Sequence, residues 1–298
     1  MIASALIASA LIAAISVLAI YERSLPAAPG QVPPGDECRR LSLGGENPLW
    51  RSASVKTPWA QDRVALLGAT EISNSYGGQA SSGDPSYDAR YFNHPGVAIR
   101  ASSGDGGYGV HYPAASRFVT AVGGTSLRRS SSPCGWSETG WFGGGSGCSA
   151  YDRQPNWQSL VTNITGVCAK RAVVDVSAVA DPSTCVAVFD SYTFQGAGGW
   201  LVFGGTSVSS PLIASVYALA GNAKTFNYGT HPYRHTSALN DVTSGSNGSC
   251  RTVLCNAKPG WDGPTGLGTP PMALEASCHQ AASKSTRHPR GASGTARV

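Results

Sequence analysis

The serine at position 207 stands in a sequence context that could make it a nucleophile. Gly204 and Gly205 leave the approach to its hydroxyl open, and the small or apolar residues from Val208 onward predict a buried helix. A serine where such a helix begins can accept a backbone hydrogen bond as an N-cap. It can also attack a substrate, because the helix N–H groups point toward any oxyanion that forms nearby. These residues alone leave both interpretations of Ser207 open.

Asp105 is a second candidate for chemistry. It lies among glycines directly after the strand predicted from Val97 to Ala101. In open parallel sheets, sites are built at the carboxyl ends of the strands. The alternative is an ordinary Asp-Gly turn with no chemical role.

Two further aspartates, Asp241 and Asp262, lie on either side of Cys250 and Cys255, which are close enough in sequence to form a short disulfide. Such a disulfide would bring two carboxylates and several turn carbonyls together. Oxygen ligands of this kind suit Ca²⁺, which also accepts backbone carbonyls. The alternative is a pair of aspartate turns joined by a disulfide.

The elements that must position these residues alternate between strands and helical or loop segments, which predicts an α/β layered fold. The central motif combines a strand from Trp200 to Phe203 with a helix that ends near Gly221. Other predicted elements are a short helix at 59–67 and strands at 71–78, 118–125 and 172–182.

Composition excludes several classes of protein. Only 13% of the 298 residues are charged and 37 are glycine, which argues against a coiled coil or a disordered chain. The formal net charge is +5, and residues 276–298 supply four of those charges and no acid. We therefore predict a disordered basic tail over 276–298 and no nucleic-acid function.

The N-terminal residues predict export. Residues 1–20 carry no charge, so residues 1–23 are expected to be a signal peptide or a transmembrane anchor. Residues 24–57 are rich in proline, glycine and arginine and are predicted to be a linker of unassigned function. The eight cysteines fit an oxidising compartment, with Cys134–Cys148 and Cys168–Cys185 as further guessed pairs. Either form of the N-terminal segment predicts an extracytoplasmic protein, secreted or membrane-anchored.

Several motifs carry a resemblance to a known family. The motif Gly205-Thr206-Ser207-x-x-x-Pro211 is similar to the nucleophile motif of subtilisin-like serine proteases, and the preceding Gly204 and Trp200 bring it closer to the sedolisin (serine-carboxyl peptidase) family. Asp105, in Ser-Gly-Asp-Gly, matches the family motif whose aspartate lines the oxyanion hole. The segment 73–78 resembles the strand that pairs with the substrate backbone. The resemblance covers roughly residues 69–271 in the family's order.

The resemblance implies a fold and an activity. It implies a subtilisin-like α/β peptidase domain over residues 58–275, with a mainly parallel sheet and helices on both faces. The implied enzyme is a monomeric serine-carboxyl endopeptidase that cleaves polypeptides at acid pH. Ser207 would be the nucleophile, and Asp105 with the Ser207 N–H would stabilise the oxyanion.

The resemblance also implies one structural Ca²⁺ site. Asp241 and Asp262 would provide carboxylates, and Val242 and Gly260 would provide main-chain carbonyls. A further carbonyl would come from Lys258, where the family pattern has glycine.

One family feature has no counterpart here. The family uses a glutamate base oriented by an aspartate four residues later on the same helix, and the chain contains no Glu-x-x-x-Asp. The family's pro-domain and first strands also have no counterpart, so we expect an N-terminally incomplete member. Asp36, Glu37, Glu46 and Asp62 are conceivable replacements, and none is assigned. The alternative function is a catalytically dead remnant or a peptide-binding pseudoprotease.

Overall fold

A computed structural model describes residues 57–271, except 67, 133–134, 162, 165, 185, 195–196, 223–224 and 226. The predicted N-terminal signal or anchor, the tail from 276 and all of the linker except residue 57 lie outside the described residues. Within the described ranges, no helix combines the length and the hydropathy needed to cross a membrane.

The elements follow one another in an α/β order. The helices are α1 (Thr57–Leu66), α2 (Asp84–Tyr87, continued by a π-helical turn at Asp88–Phe92), α3 (Thr206–Ala220) and α4 (Thr230–Arg234), with 3₁₀ turns at Asn156–Leu160 and Thr236–Ala238. The strands are β1 (Glu71–Asn74), β2 (Gly78–Gln79), β3 (Ala98–Ser102), β4 (His111–Tyr112), β5 (Thr120–Arg129), β6 (Trp136–Gly140), β7 (Gly147–Cys148), β8 (Ala172–Val173), β9 (Val176–Val179), β10 (Val186–Phe194) and β11 (Ala197–Phe203).

A five-stranded sheet forms the centre of the fold. Strands β1, β3, β5 and β9 are parallel, and β6 pairs antiparallel with β5. Strand β5 is long enough to pair with β9 through residues 122–125 and with β6 through residues 125–129. The prediction of a mainly parallel sheet is therefore confirmed. Strands β10 and β11 form a separate antiparallel hairpin that leads into α3.

Side-chain alternation along β3 builds the two faces of this sheet. Ser102 donates a hydrogen bond of 2.8 Å to the carbonyl of Thr206 in α3, and the Arg100 guanidinium lies 3.6 Å from the centre of the Tyr217 ring. Ile99 belongs instead to an apolar cluster on the opposite face. Other members of that cluster come from β1, β5 and the π-helical turn, with α1 packed against them: Ile72, Ala121, Tyr91, Phe92, Val64 and Ala65. Helices therefore cover both faces, as predicted.

Two disulfides lie within the described residues. Cys250 and Cys255 are bonded, as predicted from their spacing. Cys148 is bonded to Cys168, so the guessed pairs Cys134–Cys148 and Cys168–Cys185 are wrong. The physical reason is the antiparallel pairing of β7 with β8, which places Cys148 opposite Ala172 and brings the loop before β8 within reach.

Candidate active site

The start of α3 excludes one of the two interpretations of Ser207. The N-cap is Gly205, which makes no side-chain hydrogen bond, and Thr206 is the first helical residue. Ser207 is therefore the second residue of the helix, and the N-cap interpretation is wrong. Its side chain is exposed, and no hydrogen bond joins its Oγ to another residue within the described ranges. The hydroxyl is thus open to solvent at the positive end of the helix dipole.

Pro211 lies one helical turn after Ser207 and removes a hydrogen bond of the helix. Proline has no N–H, so the carbonyl of Ser207 lacks its usual partner four residues later. The hydroxyl of Ser75 donates to that carbonyl at 3.0 Å. Ser75 follows β1, so the sheet edge holds the backbone of Ser207 directly.

Asp105 lies beside the start of α3. It follows β3, and its Oδ1 accepts hydrogen bonds from the backbone N–H of Thr206 at 2.7 Å and from the hydroxyl of Thr206 at 2.8 Å. The loop after β3 and the N-terminus of α3 are joined by these two bonds. The structure therefore brings the two predicted catalytic residues, Asp105 and Ser207, to one place.

Gly205 permits this close approach. Its φ of +94° lies in the region that favours glycine, and a Cβ at this position would stand 2.6 Å from Asp105 Oδ2. Any other residue would displace the Asp105 carboxyl group. The glycine that the sequence suggests as an open turn therefore also makes room for a carboxyl oxygen.

Sequence reasoning did not find two residues that support this site. The hydroxyls of Ser75 and Thr206 connect β1 and the β3 loop to α3. Pro211 is the signal that could have indicated Ser75, because a proline four residues after Ser207 leaves the serine carbonyl needing a donor. No comparable signal in the sequence points to the partners of Thr206.

The residues predicted to bind calcium lie close together in the loops between residues 241 and 262. Asp241 Oδ2 accepts from the Gly260 N–H at 2.8 Å. Asp262 accepts from the Lys258 N–H and from Thr265, and the Thr265 hydroxyl also donates to the Val242 carbonyl at 3.3 Å. The four predicted ligands are thus linked by hydrogen bonds through their own loops.

The donor chemistry of this cluster fits a hard cation. Asp262 is fully buried, and burial, with a contribution from the charge of Asp241, raises the pKa of Asp262 to about 7. The potential ligands in this cluster are all carboxylate or carbonyl oxygens, which are the ligands that Ca²⁺ prefers. In the part of the chain that the structure describes, no group of three or more His, Cys, Asp or Glu side chains could hold a metal ion.

Comparisons with known proteins find relatives of this chain among peptidases. The chain is 33% identical over 179 residues to sedolisin from Pseudomonas sp. (strain 101), which covers 54% of this chain and 29% of that protein. It is 34% identical over 201 residues to kumamolisin from Bacillus sp. (strain MN-32), which covers 59% of this chain and 35% of that protein. No family model matches the chain.

A solved structure gives the corresponding result for the fold. The structure of Pseudomonas sedolisin, a serine-carboxyl proteinase complexed with two molecules of pseudo-iodotyrostatin, superimposes with a TM-score of 0.60. The match has 26% sequence identity and covers 79% of this chain and 71% of that chain. The chain is thus similar to sedolisin-family peptidases in sequence over part of its length and in fold. It spans about a third of the length of the two curated sedolisin relatives.

Proposed function

We propose that this chain is a serine-type endopeptidase of the sedolisin, or serine-carboxyl, kind that acts on polypeptides at acid pH. The observation that carries the proposal is the hydrogen-bonded unit formed by Asp105 with Thr206, the residue directly before the exposed Ser207. The unit joins a carboxyl group to the N-terminus of a helix that presents a serine hydroxyl to solvent. Acyl transfer needs a nucleophile beside hydrogen-bond donors that stabilise the oxyanion, and this unit can offer both.

Each residue has a role in this proposal. Ser207 Oγ attacks the carbonyl carbon of the scissile peptide bond, and the carbonyl oxygen becomes an oxyanion. The Ser207 N–H lies in the first helical turn, where backbone donors have no partner within the helix, so it can donate to that oxyanion. Asp105, in its protonated form, supplies the second donor. A donor of this kind works only while the carboxyl group keeps its proton, which explains the expected acid pH.

A serine hydroxyl also needs a base. Within the described residues, no carboxylate is hydrogen-bonded to Ser207 Oγ, and the sequence has no Glu-x-x-x-Asp. We therefore assign the nucleophile and the oxyanion donors and leave the base unassigned.

The test is cleavage of a denatured protein by the purified chain across about pH 3–8. We expect cleavage with a maximum near about pH 4 that is lost in Ser207→Ala and strongly reduced in Asp105→Ala, which removes the carboxyl donor. Ser159→Ala is the control, because Ser159 is an exposed serine whose hydroxyl bonds a carbonyl within its own turn. Cleavage that survives in Ser207→Ala, or no cleavage at any pH, would contradict the proposal.

We also propose one structural Ca²⁺ in the cluster of Asp241, Val242, Gly260 and Asp262. The support is the hydrogen bond between Asp241 and the Gly260 backbone, the Thr265 hydroxyl that links Asp262 to the Val242 carbonyl, and the full burial of Asp262. The ion would neutralise the two carboxylates and hold together the loops on either side of the Cys250–Cys255 disulfide. It has no role in the chemical step.

We further propose an extracytoplasmic location for the domain. The two described disulfides are the support, because disulfides persist in oxidising compartments. Alkylation of the protein isolated from cells, before and after reduction, tests this proposal. Cysteines 148, 168, 250 and 255 should react only after reduction.

A further inference from the structure

The hydroxyl of Thr206 occupies a buried position between two residues of the β3 loop. Thr206 is 1% exposed, and its Oγ1 accepts a hydrogen bond from the Gly104 N–H at 3.1 Å. The same hydroxyl lies 2.8 Å from Asp105 Oδ1. The Gly104 N–H occupies one acceptor position of the hydroxyl, and the hydroxyl donates its single hydrogen to Asp105 Oδ1.

Asp105 Oδ1 consequently accepts two hydrogen bonds from one residue. The second donor is the Thr206 backbone N–H at 2.7 Å. An oxygen that accepts two such bonds is a poor place for a proton. The other oxygen, Oδ2, lies against Gly205, and no hydrogen bond joins it to another described residue.

We propose that Thr206 is a positioning residue that reserves Oδ1 of Asp105 as an acceptor and so directs the acid proton to Oδ2. This inference rests on the proposed function, because the proton matters only if Asp105 donates to an oxyanion. It deepens that function by assigning which oxygen donates. Without the Thr206 hydroxyl, the proton would be shared between the two oxygens and the carboxyl group would turn more freely.

The position of Thr206 is itself well defined, which such a role requires. Its carbonyl accepts a hydrogen bond from the Ser102 hydroxyl at 2.8 Å, and Ser102 ends β3. The backbone and the side chain of Thr206 are thus both bonded to β3 or its loop. Thr206 therefore ties the Asp105 carboxyl group back to β3, the strand that precedes Asp105, and this limits how far the carboxyl group can move.

The first part of the test is kinetic and compares Thr206→Val with Thr206→Ser. Valine keeps the shape and removes the hydroxyl, whereas serine keeps the hydroxyl. We expect Thr206→Val to lower kcat by roughly 10- to 100-fold, less than the loss of a direct oxyanion donor, with KM within about twofold. Thr206→Ser should restore kcat to within about threefold of the unmodified chain.

The second part measures binding and does not need turnover. A peptide aldehyde adds the Oγ–H of Ser207 across its C=O bond, giving a hemiacetal whose oxygen lies where the oxyanion would form. The corresponding peptide alcohol cannot form this bond. The affinity ratio of aldehyde to alcohol therefore reports oxyanion stabilisation, and we expect Thr206→Val to lower it about tenfold and Thr206→Ser to preserve it.

Thr269→Val is the matched control. Thr269 is also a buried threonine whose hydroxyl donates to a carboxylate, that of Glu138, at 2.8 Å. This variant should lower the melting temperature without changing the affinity ratio.

The outcomes separate the inference from the proposed function. An unmodified chain with no cleavage and no preference for the aldehyde would overturn both. A preference that is lost in Ser207→Ala but unchanged in Thr206→Val would leave the proposed function standing and overturn the role of Thr206. An equal fall of the ratio in Thr206→Val and Thr269→Val would show general destabilisation, which also overturns it.

Discussion

The hydroxyl of Ser75 donates a 3.0 Å hydrogen bond to the carbonyl oxygen of Ser207, across a sequence separation of 132 residues. The bond replaces the helical partner that Pro211 cannot provide. It fixes the backbone of the proposed nucleophile to the end of β1. The proline therefore leaves the Ser207 carbonyl without a helical donor, and the serine after β1 supplies the donor instead.

Substitution of Ser75 by alanine should reduce catalysis more than stability. Removal of one hydrogen bond of this kind changes a free energy by about 1 kcal/mol, so we expect kcat/KM to fall roughly 3- to 10-fold. The melting temperature should change by about 4 °C or less. Steady-state kinetics on a peptide substrate measure the first quantity. The control Ser159→Ala removes a serine-to-carbonyl bond in another turn and should leave kcat/KM unchanged.

Much of the site could be predicted from local sequence. Ser207 and Asp105 lie in short motifs that resemble those of the sedolisin family, and the structure brings both to the start of α3. The N-cap alternative for Ser207 failed because the helix begins at Thr206, two residues earlier than an N-cap at position 207 requires. The contacts of Thr206 and Ser75 depend on residues about a hundred positions away, and no local pattern encodes such pairs.

The cysteine pairs show the same limit. Cys250 and Cys255 are five residues apart, so a bond between them closes only a short loop, at a small cost in chain entropy. Cys148 and Cys168 are joined because β7 pairs with β8, which is a tertiary contact. Sequence spacing can suggest that cysteines close in the chain are bonded, but it does not contain the pairing of β7 with β8.

Arg171 and Asp175 form an ion pair in the core. Both side chains are fully buried, and the two guanidinium nitrogens donate to the two carboxylate oxygens at 2.9 and 2.5 Å. Asp175 also accepts from the Tyr233 hydroxyl and from the backbone N–H of Ala121 in β5. The pair thus connects the sheet to the segment before β9.

Removal of one partner of this pair should destabilise the domain strongly. Asp175→Ala leaves the Arg171 guanidinium buried without its counter-charge, which costs about 3–5 kcal/mol in the free energy of unfolding. Urea unfolding measures this value. The pair of Arg128 with Asp181 is the comparison, because its arginine is 61% exposed and Arg128→Ala should cost about 1 kcal/mol or less. If the two variants lost equal free energy of unfolding, burial of the Arg171–Asp175 pair would not be the cause of its large effect.

Asp88 and Asp152 form a buried pair of acids. Their exposed fractions are 2% and 1%. Burial and the neighbouring Asp88 charge raise the pKa of Asp152 to about 7, and burial also raises the pKa of Asp88. The surrounding groups include Asp84, the Tyr112 hydroxyl, which donates to Asp88, and the guanidinium of Arg171. The folded chain therefore holds a proton in this pair that the unfolded chain releases at about pH 4.

This pair should make the domain more stable in acid. Between about pH 4 and about pH 7 the folded state binds more protons than the unfolded state, so the free energy of unfolding falls as the pH rises. We expect a loss of roughly 1–3 kcal/mol across that window, measured by urea unfolding at several pH values. Asp152→Asn should reduce the slope of the profile, and the slope that remains is expected from Asp262, whose pKa burial also raises to about 7. A stability that rises from about pH 4 to about pH 7 in the unmodified chain would refute this prediction.

Removal of calcium should lower the melting temperature if the proposed site binds it. The buried carboxylate of Asp262 lies near that of Asp241, and a bound cation stabilises the folded state by about 2.7 kcal/mol at a concentration 100 times its Kd. That value corresponds to a fall of roughly 5–10 °C on chelation for a domain of this size. Asp241→Asn is the informative variant, because Asp241 is exposed and its substitution creates no buried orphan charge. It should lower the melting temperature in the presence of Ca²⁺ and shrink the effect of chelation, whereas Asp62→Asn should respond as the unmodified chain does. An unmodified chain whose melting temperature is the same with and without a chelator would exclude a stabilising Ca²⁺ at this cluster.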